Sequence, residues 1–407
     1  MNVWIMNHYA GKNGHRHYEI SKRLSAHGYD VSVILSSHQW GIGKYTFSEK
    51  IKIETIDDQF HYVWLKTKPD YLHSSVKRVF NMIDYALLIK KYANFLVQKL
   101  GAPDVIIASS VHPLAWEAGR YLANKYRAKL ILELRDEWPL TLIEIGGISK
   151  YHPIIVFFDY INKRALRKAD AFIGTSKGMH EYIRDRYHLN FEKRAWVPNG
   201  YDAENIIRNA QPAPLPLREL LEKNWCVTYI GSITVAEGLG YLVNVIEQFN
   251  QQCGLPIHFL IIGEGNEKER IIEKVNSLNL SNVTIYGGVN HDTVYSILSQ
   301  SKVCVAPARF SGELAKYGLS MNKLNDYLFS GKPTILTYEG ENVVLDSESG
   351  YCIGLEDLDG FIECLKKLYE MSEDDREYMG EQGRKEIKKN YNFDLLTEKY
   401  IDIIETV

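Results

Sequence analysis

The sequence has no apolar run long enough to cross a bilayer. The densest, Pro153-Ile-Ile-Val-Phe-Phe158, is far shorter than the roughly 20 residues a spanning helix takes, so any membrane contact is expected at the periphery. Only five cysteines are present, all in the second half (Cys226, Cys253, Cys304, Cys352, Cys364), with no Cys-x-x-Cys pair and no Cys/His ligand spacing. That argues against a disulfide scaffold or a structural zinc site and fits reduced thiols in the cytoplasm. Low-complexity tracts are missing too, so most of the chain is expected to fold. Met1 leads directly into the strand-like Asn2-Val-Trp-Ile-Met6 without a basic and apolar leader, so no signal peptide is expected.

What is present is 407 residues, too many for one ordinary core and enough for two domains. The net charge of -3 hides an asymmetry. Residues 1–200 carry 29 Lys and Arg against 19 Asp and Glu, whereas the remainder carries 19 against 32. Eleven of the 13 histidines also fall in the first half. The amino-terminal domain therefore favours anions more than the carboxy-terminal one, which suggests different partners for each.

Short β-rich runs alternate with amphipathic stretches. Strands are expected at 2–7, 30–36, 104–110, 129–134 and 171–176, and again at 226–231, 257–263, 282–287, 302–307 and 332–338. Nearly continuous apolar strands of this kind belong to parallel sheets covered on both faces. The proline-spaced Gln211-Pro-Ala-Pro-Leu-Pro216 reads as an interdomain linker. The expected class is α/β, with two Rossmann-like domains at 1–205 and 206–385 and a carboxy-terminal helix, 386–407, crossing back onto the first. Ligands in open parallel sheets bind beyond the strand carboxyl ends, so a cleft between the two domains is the expected site.

The most informative stretch runs from Lys316 to Pro333. Ser320 is a good helix cap, and amides around Met321, Asn322 and Lys323 then present the positive end of a helix dipole to a diphosphate, with Lys323 as an added charge. Asp326, one turn on, suits ribose hydroxyls. An ordinary capped surface helix is the alternative. The Gly11-Lys-Asn-Gly14 turn follows the first strand, where backbone approaches a ligand. His15 and His17, two apart on a helix, do not share a face, so no metal is expected there. Arg16 is a candidate acceptor-phosphate anchor. His112 and Arg135-Asp136 lie just past strand ends; the histidine suits orienting or deprotonating a hydroxyl, and Asp136 suits acceptor hydroxyls and developing positive charge. Lysines from Lys66 to Lys99 interleave with Tyr62, Trp64, Tyr71, Phe80, Tyr85 and Tyr92, a pattern fitting an anionic membrane surface or a solvated basic face over buried aromatics.

Tyr317-Gly-Leu-Ser-Met-Asn-Lys-Leu-Asn-Asp-Tyr327 resembles the donor-binding segment of retaining GT-B glycosyltransferases of family 4, in the fucosaminyltransferase-like branch of bacterial O-antigen and capsule assembly. Gly14-His-Arg-His-Tyr-Glu19, Arg135-Asp-Glu-Trp-Pro139, Ala169-Asp-Ala-Phe172, Pro198-Asn-Gly-Tyr-Asp202, Tyr229-Ile-Gly231, Gly263-Glu-Gly-Asn-Glu-Lys268 and Met379-Gly-Glu-Gln-Gly-Arg384 extend the resemblance along nearly the whole chain. Departures occur at three places. Gly318 stands where the broader family has the first of two carboxylates, Met321 replaces a proline, and Ser232 and Glu237 stand where it has Arg and Lys. The resemblance implies transfer of a sugar, an N-acetylated amino sugar among the options, from a nucleotide diphosphate, UDP foremost, to a glycan or undecaprenyl-diphosphate-linked acceptor at the inner membrane face. Donor contacts are expected from Gly14, Gly231, Ser232, Gly263, Gly265, Lys268, Tyr286, Gly288, Ser320, Asn322, Lys323 and Asp326, acceptor contacts from Gly11 and Arg16, and catalysis from His112, Arg135 and Asp136. No cofactor, metal or nucleic acid is expected. A nucleotide-sugar epimerase of the same fold and a non-catalytic sugar-nucleotide-binding scaffold are the alternatives.

Overall fold

A computed structural model describes residues 1–12, 15–39, 43–71, 76–309 and 312–407; Gly14, expected at the donor, lies outside them. The chain divides into two compact units, Met1–Gly200 with Phe393–Val407, and Tyr201–Asn392.

The first unit holds β1 (Asn2–Met6), β2 (Asp30–Ser36), β3 (His38–Gln39), β4 (Gly43–Lys44), β5 (Ile51–Asp57), β6 (Phe60–Leu65), β7 (Val105–Ser110), β8 (Lys129–Leu134), β9 (Ala171–Gly174) and β10 (Arg194–Trp196). Eight of them form one sheet in the order β10-β9-β8-β7-β1-β2-β6-β5. All its pairings are parallel except β5 with β6. The edge strand β5 mixes Lys52 and Glu54 with apolar residues and is half-exposed, so its sequence lacks the apolar continuity that marks the inner strands. At the centre, Val3 to Met6 of β1 are fully buried.

The second unit holds β11 (Trp225–Ile230), β12 (Ile257–Ile262), β13 (Val283–Tyr286), β14 (Val303–Ala306), β15 (Thr334–Thr337) and β16 (Gly350–Ile353). They make a wholly parallel sheet ordered β13-β12-β11-β14-β15-β16. In both sheets the strand order reverses direction beside the first strand, between β1 and β7 and between β11 and β14. Ligands of open α/β sheets sit outside such switch points.

The boundaries expected from sequence move. Ala213 and Leu217 are buried with Leu221, Cys226, Leu260 and Ile297, and Leu215–Lys223 is a helix, so the proline-spaced segment is part of the second unit's core rather than a linker. The return to the first unit starts at Phe393, after helix Glu373–Asn390 has ended within the second. Helix Phe393–Glu405 places Phe393, Leu396, Tyr400, Ile403 and Ile404 in one core with Val3, Ile20 and Leu24, the spacing of a helix with one apolar face.

The Met379-to-Arg384 motif has a mechanical role in the second unit. Gly380 packs its helix so close to the turn after helix Asn322–Phe329 that a Cβ there would lie 1.9 Å from the Gly331 carbonyl oxygen. Arg384 then caps that shorter helix, its Nε donating to Phe329 O at 2.9 Å and its Nη2 to Ser330 O at 2.7 Å. Glycine to alanine inside a helix ordinarily stabilises by about 1 kcal/mol. Gly380→Ala is expected to do the opposite, costing about 1–3 kcal/mol through overpacking. Urea unfolding that shows a stabilised variant would refute this close approach.

Candidate functional site

At the first switch point the chain runs from β1 into Asn7 and His8 and from β7 into His112, which precedes helix Pro113–Tyr126. Both histidines are fully buried. The Asn81 amide nitrogen donates to Pro69 O at 2.9 Å, so its oxygen accepts from His8 Nε2, also at 2.9 Å. His8 Nδ1 is then an acceptor, and His112 Nε2 donates to it at 2.9 Å. This chain of bonds leaves His112 Nδ1 as a buried acceptor with no partner among the described residues. Burial, with Arg78 nearby, lowers the His112 pKa to about 3. The ring therefore stays neutral and is a poor base, which corrects its assignment to deprotonation; Nδ1 can only accept a hydrogen bond, and a hydroxyl reaches it only if this buried site opens.

One strand over, Glu133 on β8 is fully buried and gathers the segment that sequence reading gave to ligands. Arg16 donates to Glu133 Oε1 through Nε at 2.9 Å and Nη2 at 2.7 Å, to Tyr400 OH at 3.2 Å and to the Pro198 carbonyl. Tyr400 OH also bonds Glu133. His17 Nδ1 accepts from Asn7, whose amide orientation is set by Tyr9 N at its oxygen, and its Nε2 donates to Glu133 Oε2 at 2.7 Å. Burial alone raises a carboxyl pKa, but Arg16, His17 and Arg135 outweigh it and hold Glu133 well below its usual range. Arg16 is thus committed to the interior, which removes it as an acceptor anchor. Gly11 is likewise occupied: its N–H donates to Gln39 at 3.1 Å and its carbonyl accepts from Tyr62 at 2.7 Å. Of the residues expected around the acceptor, Asp136 is exposed and Arg135 half-buried. Sequence reading passed over Glu133, although an acid inside an apolar strand is itself a signal of a buried pair.

In the second unit, helix Asn322–Phe329 starts with Met321 at its cap position and no side-chain cap, one residue after the Ser320 expected there. Leu324 N bonds back to Met321 O, while the amides of Asn322 and Lys323 have no acceptor among the described residues. Lys323 Nζ lies 4.6 Å above the Tyr229 ring, donates to its hydroxyl at 2.9 Å, and forms an ion pair with Glu237. Burial lowers the lysine pKa and Glu237 opposes that shift. A Cβ on Gly231 would come within 2.9 Å of the same ammonium, so the lysine end group packs directly over that turn. Ser232 is exposed, and its carbonyl accepts from Tyr229 OH at 2.5 Å.

Gly263 and Gly265 serve loop packing more than ligand approach. Cβ atoms there would lie 1.8 Å from Gly231 O and 2.1 Å from Ile233 O. Lys268 Nζ donates to Glu264 Oε1 at 2.8 Å, and the same oxygen accepts from Gly288 N at 3.1 Å, next to half-buried Tyr286. Both candidate diphosphate lysines therefore carry carboxylate partners. Asp326 accepts from Tyr201 OH at 3.1 Å and lies 3.9 Å from His291 Nε2. Burial raises its pKa against both neighbours. Tyr201, from the Pro198-to-Asp202 motif, and His291 were not assigned to this carboxylate from sequence.

A family described as "Glycosyl transferase 4-like domain" matches residues 14–200, and one described as "Glycosyl transferases group 1" matches residues 225–371. The chain belongs to the GT4-like glycosyltransferases. It is 21% identical over 68% of its length to an O-antigen chain mannosyltransferase C from Escherichia coli, covering 72% of that protein. A sucrose-phosphate synthase from Thermosynechococcus elongatus superposes with a TM-score of 0.75 at 16% identity, covering 100% of this chain and 98% of that one. Anabaena HepE in complex with UDP gives 0.67 at 12% identity, covering 100% of both chains. The fold is therefore GT-B.

A cavity of about 430 Å³ in the second unit of the glycosyltransferase is lined by Thr234, Tyr241, Arg270, Lys274, Arg309 and Glu356 among others, and by none of the expected donor residues. Its arginines are paired, Arg270 with Glu267 and Arg309 with Glu356.

The Glu133 cluster predicts how Arg16 behaves. Arg16→Ala leaves a buried carboxylate without its main partner, so it is expected to destabilise the glycosyltransferase by about 3–5 kcal/mol. A variant as stable as wild type by thermal unfolding but weakened only in acceptor use would restore Arg16 to the ligand. Glu137 gives a pH prediction. Burial and the neighbouring Asp136 raise its pKa from 4.5 to about 8. The folded protein then keeps a proton that the unfolded chain releases, so this group's contribution to stability falls as pH rises from 4.5 to about 8. Glu137→Gln is expected to flatten the decline of melting temperature across that window; an unchanged slope would contradict the buried, protonated assignment.

Proposed function

We propose that the second unit binds a nucleotide-diphosphate sugar, UDP-linked foremost, and that the first unit binds the hydroxyl that receives the sugar. The observation that carries this reading is the start of helix Asn322–Phe329. Two amides without acceptors, the Lys323 ammonium and the Asp326 carboxylate project from its first turns, the amides and Lys323 suited to diphosphate and Asp326 to ribose hydroxyls. The UDP complex of Anabaena HepE, whose fold this chain shares, supports the choice of nucleotide.

Catalysis on this reading is electrostatic. Helix amides and lysines stabilise the departing diphosphate, with no metal or other cofactor assigned to the step. The bond from the anomeric carbon to the diphosphate oxygen breaks, the acceptor oxygen bonds to that carbon, and the acceptor proton leaves with a donor phosphate oxygen. His112 Nδ1 orients a hydroxyl, and Asp136 balances positive charge developing on the sugar ring. We assign retention of anomeric configuration through front-face attack, and an acceptor in cell-surface polysaccharide synthesis; the name of the E. coli O-antigen mannosyltransferase supports the latter. An acetamido sugar is one option for the donor, supported by the resemblance of 317–327 to the fucosaminyltransferase-like branch.

Calorimetry with UDP and UDP-sugars tests the donor half. Lys323→Ala and Asp326→Ala are each expected to weaken binding by about 1.5–3 kcal/mol, tenfold or more, with Asp326→Ala mattering less for a nucleotide lacking ribose hydroxyls. Asp136→Ala is expected to bind donor normally and lose turnover. Wild-type affinity in both donor variants would remove the proposed site, and an inverted anomer by NMR of the product would remove retention.

A further inference from the structure

Two helices of the first unit share an arrangement that their burial reveals. Helix Val76–Leu100 joins β6 to β7, and helix Pro153–Leu166 joins β8 to β9; both run antiparallel to the parallel strands they link, and hence parallel to each other. Helix Pro113–Tyr126 packs between them. At its Glu117 the two outer helices meet electrostatically: Lys90 Nζ lies 3.8 Å away and Arg164 Nη2 3.6 Å away from the same Oε1. Both helices therefore reach Glu117 with their carboxy-terminal halves, and both extend their amino-terminal halves toward the carboxyl edge of the sheet, the edge that carries His112 and Asp136.

The outward stripes of the two helices match. On the first, Val76, Phe80, Ile83 and Leu87 follow a helical repeat and are exposed, Val76 by 72% and Phe80 and Leu87 by 57% each. The same stripe continues as Lys90, Lys91, Asn94 and Gln98. On the second, Val156, Phe157 and Tyr160 are exposed by 50% or more, and the stripe continues as Lys163, Arg164, Arg167 and Lys168. Ile145 and Tyr151, the latter 78% exposed, precede that helix. Each helix thus exposes mainly apolar and aromatic residues in its first half and mainly cations in its second, with Lys77 and Phe95 the exceptions on the first helix. Exposed apolar side chains scattered singly are ordinary, but a stripe on each of two helices that flank the same third helix marks an interaction surface.

We propose that this face docks the protein onto an anionic lipid surface, with Val76, Phe80, Phe157 and Tyr160 entering the interface and the lysines and arginines behind them meeting headgroup phosphates. Aromatic and aliphatic residues beside a cationic band match the chemistry of a bilayer interface. A second copy of the chain is the poorer occupant, because a two-fold contact sets the same cationic band against itself. The face also differs from the basic stretch expected from sequence alone. Tyr62, Trp64, Tyr71 and Tyr85 are buried, and Arg78 points inward, 5.9 Å from the Tyr9 ring, whereas helix Pro153–Leu166 supplies half of the surface. The proposal rests on this surface and not on the donor site, so the two stand or fall separately.

The test uses the full chain and vesicles of phosphatidylglycerol with phosphatidylcholine, or of phosphatidylcholine alone, in flotation at low and high salt. Wild type is expected to float with the anionic vesicles and, weakly, with the neutral ones. Phe80→Ser with Phe157→Ser is expected to lower binding to anionic vesicles about tenfold or more at every salt concentration. Lys77→Gln, Lys91→Gln, Lys163→Gln and Lys168→Gln together are expected to lower it at low salt and to weaken its salt dependence. All six positions are exposed, so melting temperature and UDP affinity are expected to match wild type in both variants. No binding by wild type, or wild-type binding by the double serine variant, overturns the proposal. So does a wild-type dimer in sedimentation that Phe80→Ser with Phe157→Ser dissolves while vesicle binding is absent.

Discussion

The first unit depends on one buried carboxylate. Glu133 on β8 holds Arg16 and His17 from the helix after β1, and the hydroxyl of Tyr400 from the last helix of the chain, while Arg16 reaches on to the Pro198 carbonyl. Four stretches far apart in sequence meet at this point. A lone charge so deep is costly, and a pair stripped of one partner costs more than no pair at all. The cluster therefore acts as an all-or-none joint. It also sets the neighbourhood of the site, because Asn7, which orients His17, shares its amide with Ser109 at the end of β7, three residues before His112.

The second unit treats its cations differently. Lys323 and Lys268 each have a carboxylate at hand, Glu237 and Glu264, and Glu237 stands where the resemblance leads one to expect a lysine. On the proposed donor assignment, an incoming diphosphate exchanges with Glu237 at Lys323 instead of neutralising a bare ammonium. The uncommitted attraction then comes from the amides of Asn322 and Lys323, whose partial charges belong to the backbone and do not titrate. That arrangement suits a unit rich in acids, where a bare cation would draw a side-chain carboxylate anyway.

The inner strands were legible because they are buried on both faces and read as nearly continuous apolar runs, as Leu130 to Leu132 and, with Ser32 the one polar residue, Val31 to Leu35 show. The edge strand β5 was not, since half-exposed Ile51 to Asp57 mixes charge with apolar residues. The proline-spaced segment misled for a related reason: Leu215–Lys223 begins at a proline tolerated in a first helical turn, and its buried leucines are few. Within the site, the glycine turns and the Lys323 helix could be found from order and spacing. What side chains would pair with could not, because Glu237 with Lys323, and Arg16 with Glu133, are contacts between residues 86 and 117 positions apart. Residue type announced a charge; only the fold says whether that charge is spent inside the protein.

Helix Phe393–Glu405 completes the core that β1 begins. The second unit is therefore an insertion in the first, entered after Gly200 and left at Asn392. During synthesis on the ribosome, the second unit emerges whole and can reach its native contacts while the first still lacks Phe393 and Tyr400. Until those last residues are released, Glu133 has two of its three partners, and the groove that Leu396, Ile403 and Ile404 will fill stays open to water. The first unit begins before the second and is completed only after it, so helix Phe393–Glu405 decides when the amino-terminal half becomes a folded protein.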